Sequence, residues 1–120
     1  MTPAGVVEAQ LNAYNAKDID AFMQCWADDA RFYAHPDTLL CEGHAAIRAR
    51  HVERFDEPDL HARLIDRQAI GETVIDRERV TRTFPQGRGE IDVVAIYEVK
   101  DGKIARAWFI SGQPEFQNRR

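Results

Sequence analysis

A histidine and an aspartate on either side of Pro36 are the side chains best placed for acid–base chemistry. His35 ends a predicted strand over residues 30–35, and Asp37 follows the proline. An imidazole titrates at about pH 6.5, so His35 can accept or donate a proton at neutral pH. Asp37 can orient the imidazole or act as the base itself. We predict both as catalytic residues, although a solvated histidine and a turn-forming aspartate would fit the same pattern.

Two tyrosines can donate a hydroxyl hydrogen bond to a substrate carbonyl. Tyr14 lies one turn beyond Gln10 on the first predicted helix, so both project from the same face. Tyr33 shares the strand parity of His35. We predict Tyr14 as a third catalytic residue and Tyr33 as a substrate-binding residue. For both, a core aromatic with a satisfied hydroxyl is the alternative.

Four further side chains are predicted to line a substrate pocket. Trp26 completes the apolar stripe of the second predicted helix, and His51 and Phe55 lie on one face of the third. Phe109 belongs to the last predicted strand. A core position for Trp26, and a buried neutral ring with a backbone partner for His51, are the alternatives. No metal site or cofactor is predicted: His44 and His51 stand about 10 Å apart along their helix, and no HExxH pair is present.

A run of alternating charges over residues 76–79, followed by Arg82, lies in a predicted strand. The expected role of such a run is a solvated face with cross-strand ion pairs. For Arg82 there is an alternative: its side chain could reach into the pocket and bind an anionic group of the substrate.

Three helices followed by a meander of strands must position these residues. The first helix begins after the Thr2-Pro3 cap and ends near residue 16. A second, capped by Asp18, extends past Trp26 and is closed by Asp28-Asp29. After the short strand and a loop over residues 36–43, the third helix runs from Gly43 until Glu57-Pro58-Asp59. The remaining strands are predicted over residues 60–70, 73–84, 90–99 and 103–111, and the Asp101-Gly102 turn is typical of a hairpin. The pattern predicts an α+β domain with helices on one face of a curved antiparallel sheet.

The predicted sheet carries apolar residues on both faces. In residues 90–99, one face is almost wholly apolar, yet Val94 and Ile96 lie on the other. Trp108 extends that second face in the last strand. The helices can cover only one face, so the outer face predicts a homodimer.

Length and composition restrict the class of protein. The 120 residues predict a single domain over residues 1–120, and 16 basic against 20 acidic residues give a net charge of -4. A nucleic-acid partner is not expected, because no overall basic field would attract a phosphate backbone. No apolar run is long enough for a membrane span and no secretory signal precedes the first helix. Together with two cysteines, Cys25 and Cys41, expected to stay reduced, this predicts a cytoplasmic protein.

The sequence resembles the nuclear transport factor 2-like superfamily, which includes SnoaL-like and ketosteroid isomerase-like domains. The resemblance covers nearly the whole chain. It rests on four segments: residues 18–21 (DIDA), 26–30 (WADDA), 43–48 (GHAAIR) and 97–104 (YEVKDGKI). It implies a cone-shaped fold with a pocket between helices and concave sheet, and commonly a homodimer through the outer sheet face. In the isomerases it implies a carboxylate base, a tyrosine and a protonated acid; the matching positions here hold Ala34, Gln10 and Ala95. Steroid isomerisation is therefore not expected.

Two classes of function remain open. The first is a cofactor-independent isomerase- or dehydratase-like enzyme that acts on a small apolar carbonyl compound in the cone. The second is a non-catalytic ligand-binding or dimeric accessory protein of the same fold. A titratable group within the pocket distinguishes them, because catalysis needs one and a binding module does not.

Overall fold

Three helices and seven strands make up the computed structural model, which describes residues 1–116. The helices are α1 (Pro3–Ala16), α2 (Ile19–Gln24) and α3 (His44–Arg54). The strands are β1 (Trp26–Ala34), β2 (Thr38–Glu42), β3 (His61–Ile70), β4 (Thr73–Phe84), β5 (Gly87–Lys100), β6 (Lys103–Ser111) and β7 (Glu115–Phe116).

The first two helices begin at side-chain caps that agree with the sequence prediction. The Thr2 hydroxyl accepts a hydrogen bond from the Gly5 amide at 3.0 Å, and the Asp18 carboxylate accepts one from the Ala21 amide at 3.1 Å. Each satisfies an amide that has no partner inside the helix. Helix α1 ends at Lys17, whose backbone is left-handed with φ of 58°.

Helix α2 is shorter than predicted, and Trp26 is the first residue of β1 rather than the end of the helix. The Ile104 amide donates to the Cys25 carbonyl at 2.8 Å, which ties the chain to β6 immediately after the helix. The Trp26 indole is buried in this strand as it would be at the end of a helix. Helical spacing therefore predicted its burial correctly but assigned it to the wrong element. Asp28 and Asp29, predicted to close the helix, are exposed residues of β1.

Residues 36–43, predicted as a loop, contain β2, which pairs antiparallel with β1. The predicted meander strands agree with β3, β4, β5 and β6. The short β7 was not predicted and pairs with β5.

The sheet has the strand order β2-β1-β6-β5-β4-β3, with β7 beside β5. All neighbours are antiparallel except β1 and β6, which are parallel, so the predicted antiparallel sheet is in fact mixed. The sheet is curved and unclosed, and the three helices pack on it in the predicted α+β, cone-shaped nuclear transport factor 2-like fold. Within residues 1–116, no helix combines the length and apolar character needed to cross a membrane. Both Cys25 and Cys41 are free.

Candidate functional site

A cavity of about 220 Å³ opens between the helices and the sheet. That volume is several times the roughly 30 Å³ that one water molecule occupies, so the cavity has room for a small organic molecule. Its wall combines apolar side chains with a few polar ones, contributed by α1, α3 and six strands. This mixture is typical of small-molecule sites.

Glu78 on β4 is the buried carboxyl group of this cavity. It shares its strand face with Val74 and Val80, and all three side chains are buried. Only 6% of Glu78 is exposed, and its carboxyl group forms no ion pair or hydrogen bond with another group of residues 1–116. Burial, and after it the nearby Asp76 carboxylate, raises the pKa of Glu78 to about 7, with the Arg67 guanidinium partly opposing the rise. Glu78 can therefore gain or lose a proton near neutral pH.

Asp76, two residues earlier on the same face, is fully buried but has a dedicated partner. Arg67 on β3 donates from Nε to Oδ1 at 2.6 Å and from Nη2 to Oδ2 at 2.9 Å. Its Nη1 also donates to Glu8 on α1 at 2.6 Å. Because Arg67 compensates the charge of Asp76, the two neighbouring carboxyl groups differ: Asp76 is paired, and Glu78 lines the cavity without a partner from residues 1–116.

Two tyrosines place their rings in the wall of the same cavity. Burial raises the pKa of Tyr14, with the neighbouring Arg54 guanidinium opposing the rise. Burial also raises the pKa of Tyr97 well above its usual value, opposed by the adjacent Gln10 amide. Both hydroxyls therefore stay protonated at neutral pH and can donate hydrogen bonds.

His51 on α3 is a buried, neutral cavity residue. Burial lowers the pKa of His51 to about 4, with the nearby Arg54 and Arg50 charges adding to the effect and a hydrogen bond with the Ile47 carbonyl opposing it. The Nδ1 atom lies 2.8 Å from that carbonyl oxygen. A carbonyl can only accept, so Nδ1 carries the proton and Nε2 is left as an acceptor.

Three of the eight predicted site residues, Tyr14, His51 and Phe109, line the cavity. Phe55 does not line it, but packs edge-on against Tyr14 with ring centroids 5.5 Å apart. The positions matched to the isomerase base and tyrosine, Ala34 and Gln10, also lie in the wall. The resemblance therefore located the cavity even where the residue types differ.

The other four predicted site residues lie elsewhere. His35 and Asp37 are exposed in the turn between β1 and β2 and do not reach the cavity wall. Tyr33 lies flat on Trp108, with ring centroids 5.6 Å apart. Trp26 is 1% exposed and packs among the core aromatics Phe22 and Phe32.

Glu78 is the functional candidate that the sequence prediction missed, because residues 76–79 were expected to form a solvated face. That expectation is right for Arg79, which pairs with Glu90 and Asp92 on β5, but wrong for Asp76 and Glu78, which point inward. Strand parity could have shown this. Asp76 and Glu78 lie on the same strand face as Val74 and Val80, the apolar residues that precede and follow the charged run.

An open depression of about 1180 Å³ lies elsewhere on the surface and is lined mainly by charged side chains. Several of these already pair with each other, including Arg31 with Glu42 at 2.9 Å and Arg48 with Asp20 at 2.6 Å. No group of three or more potential metal ligands occurs among residues 1–116. The depression holds no buried titratable group comparable to Glu78, so we assign the candidate site to the smaller cavity.

A family model for the SnoaL-like domain matches residues 7–107. Among solved structures, an uncharacterized cystatin fold protein from Novosphingobium aromaticivorans is 32% identical, with a TM-score of 0.85 over 92% of this chain and 98% of that chain. An NTF2-like protein of unknown function from Cytophaga hutchinsonii is 13% identical, with a TM-score of 0.79 over 93% and 91% of the two chains. The epoxide hydrolase/cyclase-like enzyme SalBIII, described for pyran ring formation in the polyether salinomycin, is 19% identical, with a TM-score of 0.81 over 92% and 90%. No curated protein matches the chain significantly. Because the family model spans most of its length, the chain belongs to the SnoaL-like domain family, within the nuclear transport factor 2-like superfamily.

Proposed function

We propose that this protein is a cofactor-independent enzyme that moves a proton at a carbon next to a carbonyl group of a small, largely apolar substrate. The observation that carries the proposal is Glu78, a buried carboxyl group without a partner among residues 1–116 in the wall of a cavity. Its pKa of about 7 suits both directions of proton transfer at neutral pH. A cavity used only for binding would not need such a group.

The proposed step is a proton transfer without net oxidation or reduction. The Glu78 carboxylate removes a proton from the carbon next to the carbonyl, and the electron pair moves to the carbonyl oxygen as an enolate. The Tyr14 hydroxyl donates a hydrogen bond to that oxygen and stabilises the developing charge. The protonated Glu78 then returns the proton to the same carbon or to a conjugated one, which gives exchange or isomerisation.

Two further features support this assignment over the predicted pair His35 and Asp37. Those two residues lie in an exposed turn, where water would compete with a substrate. The fold is also similar to that of SalBIII, which is described as an epoxide hydrolase/cyclase-like enzyme, so catalytic use of a cavity is compatible with this fold.

Deuterium exchange into a small ketone tests the proposal. The probe is 2-tetralone in deuterated buffer, with the loss of its α-proton signals followed by NMR. We expect wild-type protein to accelerate exchange over buffer, with a rate that rises with pH around a midpoint near 7. Removing a general base typically lowers the rate by a factor of about 10²–10⁴, so Glu78→Gln should fall toward the buffer rate.

The matched control is His35→Gln, which changes a titratable residue outside the cavity and should keep the wild-type rate. Equal rates for wild-type protein and Glu78→Gln would contradict the proposal. So would a loss of exchange in His35→Gln with Glu78→Gln unaffected, because that result would return the catalytic role to the turn.

We also propose that the outer sheet face mediates a homodimer. Strand register places five apolar residues side by side across five strands: Leu39, Tyr33, Trp108, Ile96 and Ile75. At about 4.8 Å between strands, this row extends about 19 Å. A contiguous apolar surface of this kind can mark a protein–protein interface, which supports the proposal. Sedimentation velocity tests it, and a monomer at micromolar concentration would contradict it.

A further inference from the structure

Arg50 on α3 is a cation in the cavity wall that pairs with no carboxylate of the described residues. It is half-buried and lines the cavity, and no ion pair or hydrogen bond to its guanidinium occurs within residues 1–116. A guanidinium removed from water normally has a carboxylate or phosphate beside it. Its position therefore indicates that an anionic group completes the site when a ligand is bound.

The other two arginines of the cavity wall differ because both contact Glu57. Arg82 donates from Nη2 to Glu57 Oε2 at 2.7 Å and from Nε to Oε1 at 3.3 Å. Arg54 Nε lies 3.6 Å from the same carboxylate. The sequence prediction that Arg82 could bind an anion is therefore less favoured, because Glu57 already occupies its donors.

An aromatic ring fixes the position of Arg50 beside the apolar wall. The guanidinium carbon lies 5.1 Å from the centroid of the Phe32 ring, in cation–π range. Phe32 in turn stacks on Phe109, with centroids 4.4 Å apart. A ligand lying along Phe109 would thus find an apolar surface and a cation within one small volume.

The charged side chains of the cavity wall also carry an excess of positive charge. Arg50, Arg54 and Arg82 contribute three positive charges to the wall, and Glu57 compensates one of them. Glu78 is largely protonated below its pKa of about 7 and then adds no negative charge. Burial and the neighbouring Arg54 lower the pKa of Arg50. A bound anion would relieve that unfavourable environment.

We propose that the substrate carries a carboxylate or another anionic group that pairs with Arg50, while its apolar body lies against Phe32 and Phe109. This deepens the proposed function, on which it rests, by narrowing the substrate class from apolar carbonyl compounds to apolar keto acids or their anionic equivalents. The carboxylate would be held at the opening, and the carbon that exchanges its proton would lie farther in, near Glu78.

A matched pair of rigid probes tests the inference: naphthalene-2-carboxylate and naphthalene-2-carboxamide, which share shape and differ in charge. Their affinities are measured by isothermal titration calorimetry at pH 6 with the full chain. We expect wild-type protein to bind the carboxylate at least about tenfold more tightly, which is about 1.4 kcal/mol, because the carboxylate forms a charge-assisted pair with Arg50 and the amide does not. In Arg50→Gln the preference should fall to less than about twofold.

Arg48→Gln is the control variant, because Arg48 lies on the same helix but outside the cavity wall and should keep the preference. Circular dichroism establishes that each variant is folded. The inference is overturned if wild-type protein binds the amide equally well, binds neither probe, or if folded Arg50→Gln retains the preference. The two proposals fail separately: a carboxylate preference without 2-tetralone exchange rejects the catalytic step alone, and exchange without the preference rejects the anion site alone.

Discussion

Burial shifts the pKa values of two cavity residues in ways that affect stability in opposite directions. The pKa of Glu78 rises to about 7 and that of His51 falls to about 4. Between pH 4.5 and 6.5, folded Glu78 holds more protons than the unfolded chain does, and folded His51 holds fewer. Glu78 therefore makes the protein less stable as pH rises, whereas His51 makes it less stable as pH falls.

Glu78→Gln should expose this balance. The Glu78 contribution is fully present below about pH 4.5 and is lost as pH rises through about 7, so the amide variant gains stability relative to wild type across that range. The rise in pKa from 4.5 to about 7 corresponds to about 3 kcal/mol, at about 1.4 kcal/mol for each pKa unit. Urea denaturation gives the free energy of unfolding of wild type and Glu78→Gln at pH 4 and at pH 8. The difference between the two proteins should change by about this amount between the two pH values.

Glu72→Gln provides the control for that comparison, because Glu72 is an exposed carboxylate in the turn between β3 and β4. Its difference from wild type should be nearly the same at both pH values. A Glu78→Gln difference that is also independent of pH would show that the buried carboxyl group titrates as it does in the unfolded chain.

At the scale of the elements, hydrophobic periodicity predicted helices and strands correctly where the apolar residues fitted only one of the two patterns. Helix α1, with its Thr2 cap, and the four meander strands followed from apolar spacing and turn residues. The boundary between α2 and β1 could not be predicted in this way, because a residue such as Trp26 can be buried at the end of a helix or at the start of a strand. Strand β2 was missed because residues 38–42 are largely exposed and show no alternation in burial.

The candidate site was predictable only in part, for a reason visible in β4. Apolar residues occupy both faces of this strand near its start, Val74 inside and Ile75 on the outer row. Local sequence therefore left open which parity faces the cavity. Asp76 is held inside by Arg67 of β3, which in turn donates to Glu8 of α1. That long-range compensation cannot be read from the alternating charges alone.

In the whole molecule, the two faces of the sheet would have different functions, one in the proposed catalytic cavity and the other in the proposed homodimer. The inner face, with the helices, forms the cavity that contains Glu78 and Arg50. The outer face carries the apolar row that we assign to a dimer interface. Because the strands are shared, one sheet would hold the partner on one side and the substrate on the other.

Ile75→Glu should weaken the proposed dimer. Ile75 ends the apolar row and is 36% exposed in the isolated chain, so a charge there should perturb association more than folding. Sedimentation velocity at about 20 μM should show wild-type dimers and variant monomers. Ile70→Glu makes the same chemical change at a 77% exposed residue outside the row and should leave the dimer intact. Identical sedimentation of both variants would contradict the assigned interface.

The proposed chemistry depends on Glu78, whose carboxyl group is buried, has no partner from residues 1–116 and can therefore exchange protons near neutral pH. A titration of glutamate side-chain carboxyl carbons by NMR, with the Glu78 signal assigned through Glu78→Gln, measures this directly. We expect a midpoint of about 7 for Glu78. A midpoint near 4.5, the ordinary value for a glutamate, would contradict this expectation.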